Sequence, residues 1–262
     1  MRNIVRVIPC LLMRMRDWGI VKTIRFQDET YIGCAINAVR VFDAKDVDEL
    51  LLLDIDATLD GRIPNLEIIA EIADESSMPI TVGGGIRTLE HVREVLKSGA
   101  DKIVVNSIAA EDPDFIRQAA GRFGGQCIVV SIDARRNGNG SYQVYTRRGR
   151  QETGLDPVQH ALRMQELGAG EILLNSIDRD GTWDGYDLEL LRQVSDTVSI
   201  PVVACGGAGK LQDFADAVNI GHASAVSAGS FFLYHTRRRG ILITFPTREE
   251  LQNVLGTERV RV

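Results

Sequence analysis

Along the chain, short runs of aliphatic and β-branched residues alternate with longer stretches whose apolar positions recur at helical spacing. The runs predict strands at 4–11, 48–54, 79–83, 102–106, 126–132, 171–175, 200–204 and 223–228. Strands buried on both faces read as continuous apolar runs, and parallel neighbours need a crossover helix between them. The alternation therefore predicts a parallel sheet covered by helices. Eight such units in succession predict an α/β fold of the (β/α)8 (TIM) barrel type. A doubly wound open sheet is the runner-up, but no G-x-G-x-x-G turn follows the first strand, as a dinucleotide-binding version would require.

The pattern also repeats. Pro79-Ile-Thr-Val-Gly-Gly-Gly85 reads again as Pro201-Val-Val-Ala-Cys-Gly-Gly207, Asp60-Gly61 as Asp180-Gly181, and Val47-Asp-Glu-Leu-Leu-Leu52 as Ala169-Gly-Glu-Ile-Leu-Leu174. Two four-strand half-barrels, about 1–124 and 125–262, are thus expected. A four-stranded parallel half leaves two open edges, so the halves are read as one domain, residues 1–262.

Composition narrows the class. With 262 residues, 44% hydrophobic and 25% charged, the chain is globular. Its apolar runs fall far short of the roughly 20 residues of a membrane helix. Arg2 and Arg6 are followed by Pro9, Arg14 and Arg16 instead of a signal-peptide core, so a cytoplasmic protein without membrane contact is expected. A net charge of −6 argues against nucleic-acid binding, Arg237 to Arg239 being the local exception. Cys10, Cys34, Cys127 and Cys205 lie far apart and read as free thiols, and His91, His160, His222 and His235 show no ligand spacing. Neither a metal nor a cofactor is expected.

In a barrel of this kind the chemistry sits past the C-terminal ends of the strands. Gly83, Gly84 and Gly85 follow the third strand, and Gly206, Gly207 and Gly209 the seventh, each group just before a helix. Glycine lets backbone N–H groups approach an anion, and a helix N-terminus adds roughly half a positive charge. With Asn106 and Ser107 after strand four, and Gly229 and Ser230 after strand eight, two phosphate corners are expected across one mouth. They imply a phosphorylated small molecule with a phosphate at each end; tight strand-to-helix turns are the plainer explanation of the same glycines. The repeat lays Ile8-Pro-Cys-Leu-Leu12 over Val129-Val-Ser-Ile-Asp133, so Asp133 should face Leu12 across the mouth. Asp133 is the candidate general acid/base, against the simpler role of a solvated helix cap.

At this point the chain resembles the HisF family, the cyclase subunits of imidazole glycerol phosphate synthase. The resemblance is carried by Arg6-Val-Ile-Pro-Cys-Leu, Thr81-Val-Gly-Gly-Gly-Ile, Gly99-Ala-Asp-Lys, Ser131-Ile-Asp-Ala, Ser176-Ile-Asp-Arg-Asp-Gly-Thr and Cys205-Gly-Gly-Ala-Gly-Lys. It implies a HisH-like glutaminase partner whose ammonia travels along the barrel axis to a bisphosphorylated substrate, and a pair of aspartates for acid/base work. Asp133 matches the second aspartate; the first position is Leu12, and a leucine can neither donate nor accept a proton. Asp54 or Asp56 would have to stand in for it. The resemblance further implies that Lys22 is a mobile-loop lysine, and that Gly85, Asn106, Ser107, Asp180, Gly181 and Gly207 contact phosphate. The family's Ala-Ala-Ser is Ala228-Gly229-Ser230 here. Arg6, Glu49, Lys102 and Glu171 resemble the family's ammonia gate.

A chain that keeps the ammonia entrance but loses one catalytic aspartate is similar to a HisF-like branch that serves, with a glutaminase and a separate sugar amidotransferase, in acetamidino modification of bacterial surface sugars during lipopolysaccharide biosynthesis. The Cys-Leu-Leu start and Leu242-Ile-Thr-Phe-Pro246 carry that likeness. The latter lies in an inserted segment, about 235–246, read as strand-like at the mouth or rim and as either a solvated edge or a docking surface. An authentic histidine-pathway cyclase and a non-catalytic glutaminase-binding scaffold are the alternatives.

Overall fold

The computed structural model describes residues 4–14, 19–235 and 240–261; Arg237 to Arg239 lie outside these. Eight parallel strands close on themselves: β1 (Arg6–Arg14), β4 (Leu50–Asp54), β5 (Ile80–Gly83), β6 (Lys102–Val105), β7 (Ile128–Arg136), β10 (Glu171–Ser176), β11 (Val202–Cys205) and β12 (Ala225–Ala228). Closure comes from the β1–β12 ladder, Arg6 beside Ala225 to Pro9 beside Ala228, and from the β7–β10 ladder, Glu171 beside Val129 to Ser176 beside Ala134. The predicted barrel is thus present, with all eight strands where the apolar runs put them.

Alternation along the strands makes two cores. Val7, Leu11 and Met13 point out to the helices, joining Leu50, Leu52, Ile103 and Ile172 in the large cluster between sheet and helical ring. Ile8, Cys10, Leu51, Val104, Val129, Leu173, Val203, Cys205 and Ala225 point inward and fill the axis, with Leu12 and Leu53 packed on top. The helices begin at side-chain caps that supply acceptors to orphan N–H groups: Asn65 for 66–74, Thr88 for 89–97, Asp156 followed by Pro157 for 157–166, and Thr247 with Glu250 for 248–255. Among the described residues no helix is long and apolar enough to cross a membrane.

Four further strands were not predicted. β2 (Gly19–Ile24) and β3 (Gln27–Cys34) form a hairpin antiparallel to the end of β1, and β8 (Tyr142–Thr146) and β9 (Gln151–Glu152) form another on the end of β7. These partners extend β1 to Arg14 and β7 to Arg136, beyond the barrel wall. Lys22 consequently sits on a strand instead of in a loop, and is buried. The inserted segment differs from expectation in the opposite sense. Ile241 makes a single antiparallel bridge to Tyr234, the N–H groups of Leu242 and Thr244 reach Leu233 O and Phe232 O, and no strand forms among the described residues of the segment. Its neighbour is the end of the short helix Ser230–Leu233, which offers no continuing ladder; the segment is held instead by Phe245 stacking on Phe232, with ring centroids 5.2 Å apart.

Candidate active site at the barrel mouth

Strand order places β7 four steps from β1 in either direction, so Leu12 and Asp133 stand on opposite walls of the mouth, and both line its cavity. Asp133 accepts a hydrogen bond from the Ser131 hydroxyl at 3.2 Å and lies beside Asn175 of β10. Burial raises its carboxyl to about 7, the Ser131 hydroxyl opposing and the charge of Asp180 adding to the rise. Near neutral pH the group therefore populates both protonation states, as a general acid/base requires. Opposite it, Leu12 pairs with Leu53 of β4 and both rest on the axial core, an apolar surface where a second acid could have stood.

The stand-ins for that acid are committed elsewhere. Asp54 is bound by both terminal nitrogens of Arg62, one at 3.1 Å, and accepts the N–H groups of Asp56 and Ala57 at 3.2 Å; Asp56 is paired with Arg148 at 3.3 Å.

Both glycine corners open on the same cavity, Gly84, Gly85, Asn106 and Ser107 on one side and Gly206, Gly207, Gly229 and Ser230 on the other, with Asp180 and Gly181 between β7 and the second corner. Backbone geometry alone demands glycine at several of these positions, Gly85 and Gly207 most clearly. A Cβ on Gly85, at φ 64°, would lie 1.8 Å from Arg62 O, and one on Gly207, at φ 116°, 2.2 Å from Gly185 O. Several other site residues also hold the hairpins. Asn106 donates from its amide to Ser131 O at 3.1 Å and Tyr145 O at 3.3 Å, and Ser107 Oγ accepts the Arg147 N–H at 3.2 Å, tying the first corner to the β8–β9 hairpin. Asp180 accepts the Thr23 hydroxyl at 2.9 Å, while its own carbonyl accepts the Arg25 N–H at 2.9 Å, tying the second to the β2–β3 hairpin. Burial raises the Asp180 carboxyl, with Lys22 opposing. Lys22 projects from β2 across to β12, where a Cβ on Gly229 would lie 1.9 Å from its Nζ.

Among the contributors to the mouth that sequence reasoning missed are Phe26 and Arg148 at the hairpin tips and Asn175 on β10. The Asn175 side-chain oxygen is buried without a hydrogen-bond partner. Its position three residues before the matched Asp-Arg-Asp-Gly run was the available signal. All four cysteines are free; Cys10 and Cys205 are buried in the axis, and Cys34 and Cys127 are half-buried.

At the opposite end of the axis Arg6 bonds both Glu49 and Glu171, and Lys102 Nζ reaches Glu49 at 2.9 Å and Glu171 at 3.2 Å. The four charges form a closed ring, extended by the Thr81 hydroxyl donating to Glu49 at 2.6 Å. Burial pushes Glu49 up, but Lys102 and Arg6 outweigh it and hold the carboxyl below its usual range.

A closed (β/α)8 barrel with a charged ring at one end, an apolar axis and a glycine-lined mouth holding Asp133, its carboxyl raised to about 7, defines the class of protein. The sequence model of the histidine biosynthesis protein family matches residues 6–238, and the chain belongs to that family, as a barrel of the HisF type. It is 45% identical over 246 residues, 94% of this chain and 97% of the other, to a Pseudomonas aeruginosa protein named "Putative imidazole glycerol phosphate synthase subunit hisF2". It is 46% identical over 230 residues, 88% of this chain and 90% of the other, to "Imidazole glycerol phosphate synthase subunit HisF" of Alkaliphilus metalliredigens.

Proposed function

We propose that the chain is the HisF-type synthase subunit of a cytoplasmic glutamine amidotransferase complex, taking ammonia from a HisH-like glutaminase and delivering it along the barrel axis to a phosphorylated acceptor at the mouth. The observation that carries this reading is the apolar column from Ile8 and Leu51 up to Leu12 and Leu53, which runs between the ring of Arg6, Glu49, Lys102 and Glu171 and the cavity of Asp133. Neutral ammonia passes an apolar column far more readily than ammonium, because an ion there loses its hydration. In this reading the ring is the gate, the glycine corners hold phosphate, and Asp133 moves the proton.

The mouth also supports a narrower reading. With Leu12 opposite Asp133, and with Asp54 and Asp56 taken up by arginines, a reaction that needs a carboxylate on each wall loses one partner, typically worth about 10²–10⁴ in rate. Ammonia delivery for acetamidino modification of a bacterial surface sugar, completed by a separate sugar amidotransferase, fits that loss. A histidine-pathway cyclase is the second reading, favoured by the name of the Alkaliphilus relative.

The cyclase reaction with the purified chain, the histidine-pathway bisphosphate and excess ammonium at alkaline pH separates the two readings. The expected result is no turnover, in a protein that still stimulates a HisH-like glutaminase. Turnover near that of an authentic cyclase would assign the chain to histidine biosynthesis.

A further inference from the structure

Beside the mouth, between the tips of the two hairpins, lies a second cleft of about 340 Å³, lined by Arg25, Phe26, Arg135, Arg148 and Arg150 together with Asp28 and Glu29. It is continuous with the mouth, since Phe26 and Arg148 line both. Four guanidinium groups against two carboxylates leave it two positive charges in excess, in a chain whose net charge is −6.

Three of the four arginines are not consumed by the protein's own acids. Arg148 is paired with Glu29 and Asp56. Arg25, by contrast, donates only to a backbone carbonyl, that of Asp178 at 3.2 Å, and Arg135 lies over the Tyr145 ring at 4.7 Å. Among the described residues neither of these, nor Arg150, makes an ion pair with a carboxylate.

The backbone supplies a second, independent observation. Arg25 (φ 52°) and Phe26 (φ 63°) form the two-residue turn between β2 and β3, and Arg147 (φ 50°) and Arg148 (φ 62°) begin the turn facing it. Two successive left-handed residues make the type I′ hairpin turn, for which Asn-Gly is the low-cost choice; an ordinary side chain there costs on the order of 1 kcal/mol per residue. Arg147 turns away to Glu111, but Arg25, Phe26 and Arg148 give up stability in this conformation with their side chains lining one cleft, the pattern of a ligand clamp.

We propose that this cleft is an anion subsite, continuous with the mouth, that holds a pyrophosphate-type outer group of the acceptor. The inference rests on the reading that the mouth holds the acceptor. Planar guanidinium forks match phosphate oxygens two at a time, and the three forks of Arg25, Arg135 and Arg150, none paired with a carboxylate among the described residues, offer more donor pairs than the three free oxygens of a single ester phosphate can take. The acceptor then has its reacting end near Asp133 and its outer, charged end between Arg25, Arg135 and Arg150, with Phe26 and Arg148 at the junction.

Calorimetric titration of the full chain and of an Arg25→Ala/Arg150→Ala variant with inorganic pyrophosphate, and separately with inorganic phosphate, tests this. Both side chains are exposed, so folding of the variant is checked by its melting curve alone. Expected is a pyrophosphate affinity at least tenfold lower in the variant, with phosphate binding equal in the two proteins. Equal pyrophosphate affinities, no pyrophosphate binding by the unaltered chain, or a parallel fall in phosphate affinity would overturn a separate subsite. Loss of glutaminase stimulation by the unaltered chain would instead sink the ammonia-delivery reading and leave the pyrophosphate difference standing, so the two failures are told apart.

Discussion

Asp133 couples the mouth to the stability of the fold through one proton. Its carboxyl titrates near 7 in the folded protein against 3.8 when free, so the folded state binds the extra proton between those values. Stability is fully present below about pH 4, declines as pH rises toward 7, and levels off above it. Asp133→Asn removes the titration. The variant is expected to match the parent near pH 4 and to exceed it at pH 8 by at most about 4 kcal/mol, read from urea midpoints at the two pH values. A parent whose midpoint is flat from pH 4 to 8 would contradict the raised carboxyl. The opposite wall yields the complementary test. Leu12→Asp places a second carboxylate across from Asp133, at the cost of the packing Leu12 makes on the axial core. If the missing acid alone blocks cyclisation, this variant gains ammonium-dependent cyclase turnover over the parent by tenfold or more; no gain would mean that the acceptor itself differs. Both positions were legible in the sequence because the internal repeat lays one strand end over the other. What the sequence could not supply is the burial that lifts the carboxyl, which depends on neighbouring strands such as β10 with Asn175, and the charge of Asp180 that the turn after β10 brings close.

Among the elements, the hairpins show where reading by period ends. The eight barrel strands are continuous apolar runs and declared themselves, whereas Gln27–Cys34 reads Gln-Asp-Glu-Thr-Tyr-Ile-Gly-Cys, mostly exposed, and Gln151–Glu152 is two residues long. Such strands are specified by their ladder partners, not by an apolar face; the first turn carries Arg-Phe where glycine or asparagine would have flagged a hairpin, and the second, 147–150, holds Gly149 but only after two arginines. The 241–245 segment errs in the other direction: its β-branched residues suggested a strand, but its neighbour is a helix end. The contact between the first hairpin and β12 is open to a direct test. Gly229→Ala would set a methyl carbon 1.9 Å from Lys22 Nζ and 3.0 Å from Cys10 O. The flexible end of the lysine gives way first, so the melting temperature should change little while the amine leaves its seat in the mouth. Labelling with an amine-selective reagent, mapped to Lys22 by mass spectrometry, is expected to be faster in the variant than in the parent; equal labelling rates would show that Gly229 does not seat the lysine.

Over the whole molecule, the approximate twofold relation that the sequence repeat announced governs more than the barrel wall. The two glycine corners fall on opposite sides of the mouth, Leu12 and Asp133 on opposite walls, and the two hairpins grow from β1 and β7, the first strand of each half. The carboxylates of the charged ring obey the same relation, Glu49 and Glu171 being at equivalent positions, while Arg6 of β1 and Lys102 of β6, which are not equivalent, bridge them. A ring so arranged is either intact or open, because each cation serves both carboxylates. Replacing Lys102 with alanine leaves two largely buried carboxylates sharing Arg6 alone, an arrangement that costs on the order of 2 kcal/mol, below the full penalty of a broken buried pair because Lys102 keeps some contact with solvent. The ring's pH dependence has the opposite sign to that of Asp133. Glu49 is held below 4.5 in the folded state, so its contribution is present above that pH and is lost as pH falls through its lower folded value. In Lys102→Ala the acid limb of the stability profile should therefore flatten while the limb between pH 4 and 7, which belongs to Asp133, stays as it was. If the ring also gates ammonia, the same variant shows glutamine-dependent product formation altered relative to ammonium-dependent formation, each measured with a HisH-like glutaminase present. A changed acid limb with unchanged coupling would make the ring a structural clasp and move the entry of ammonia elsewhere.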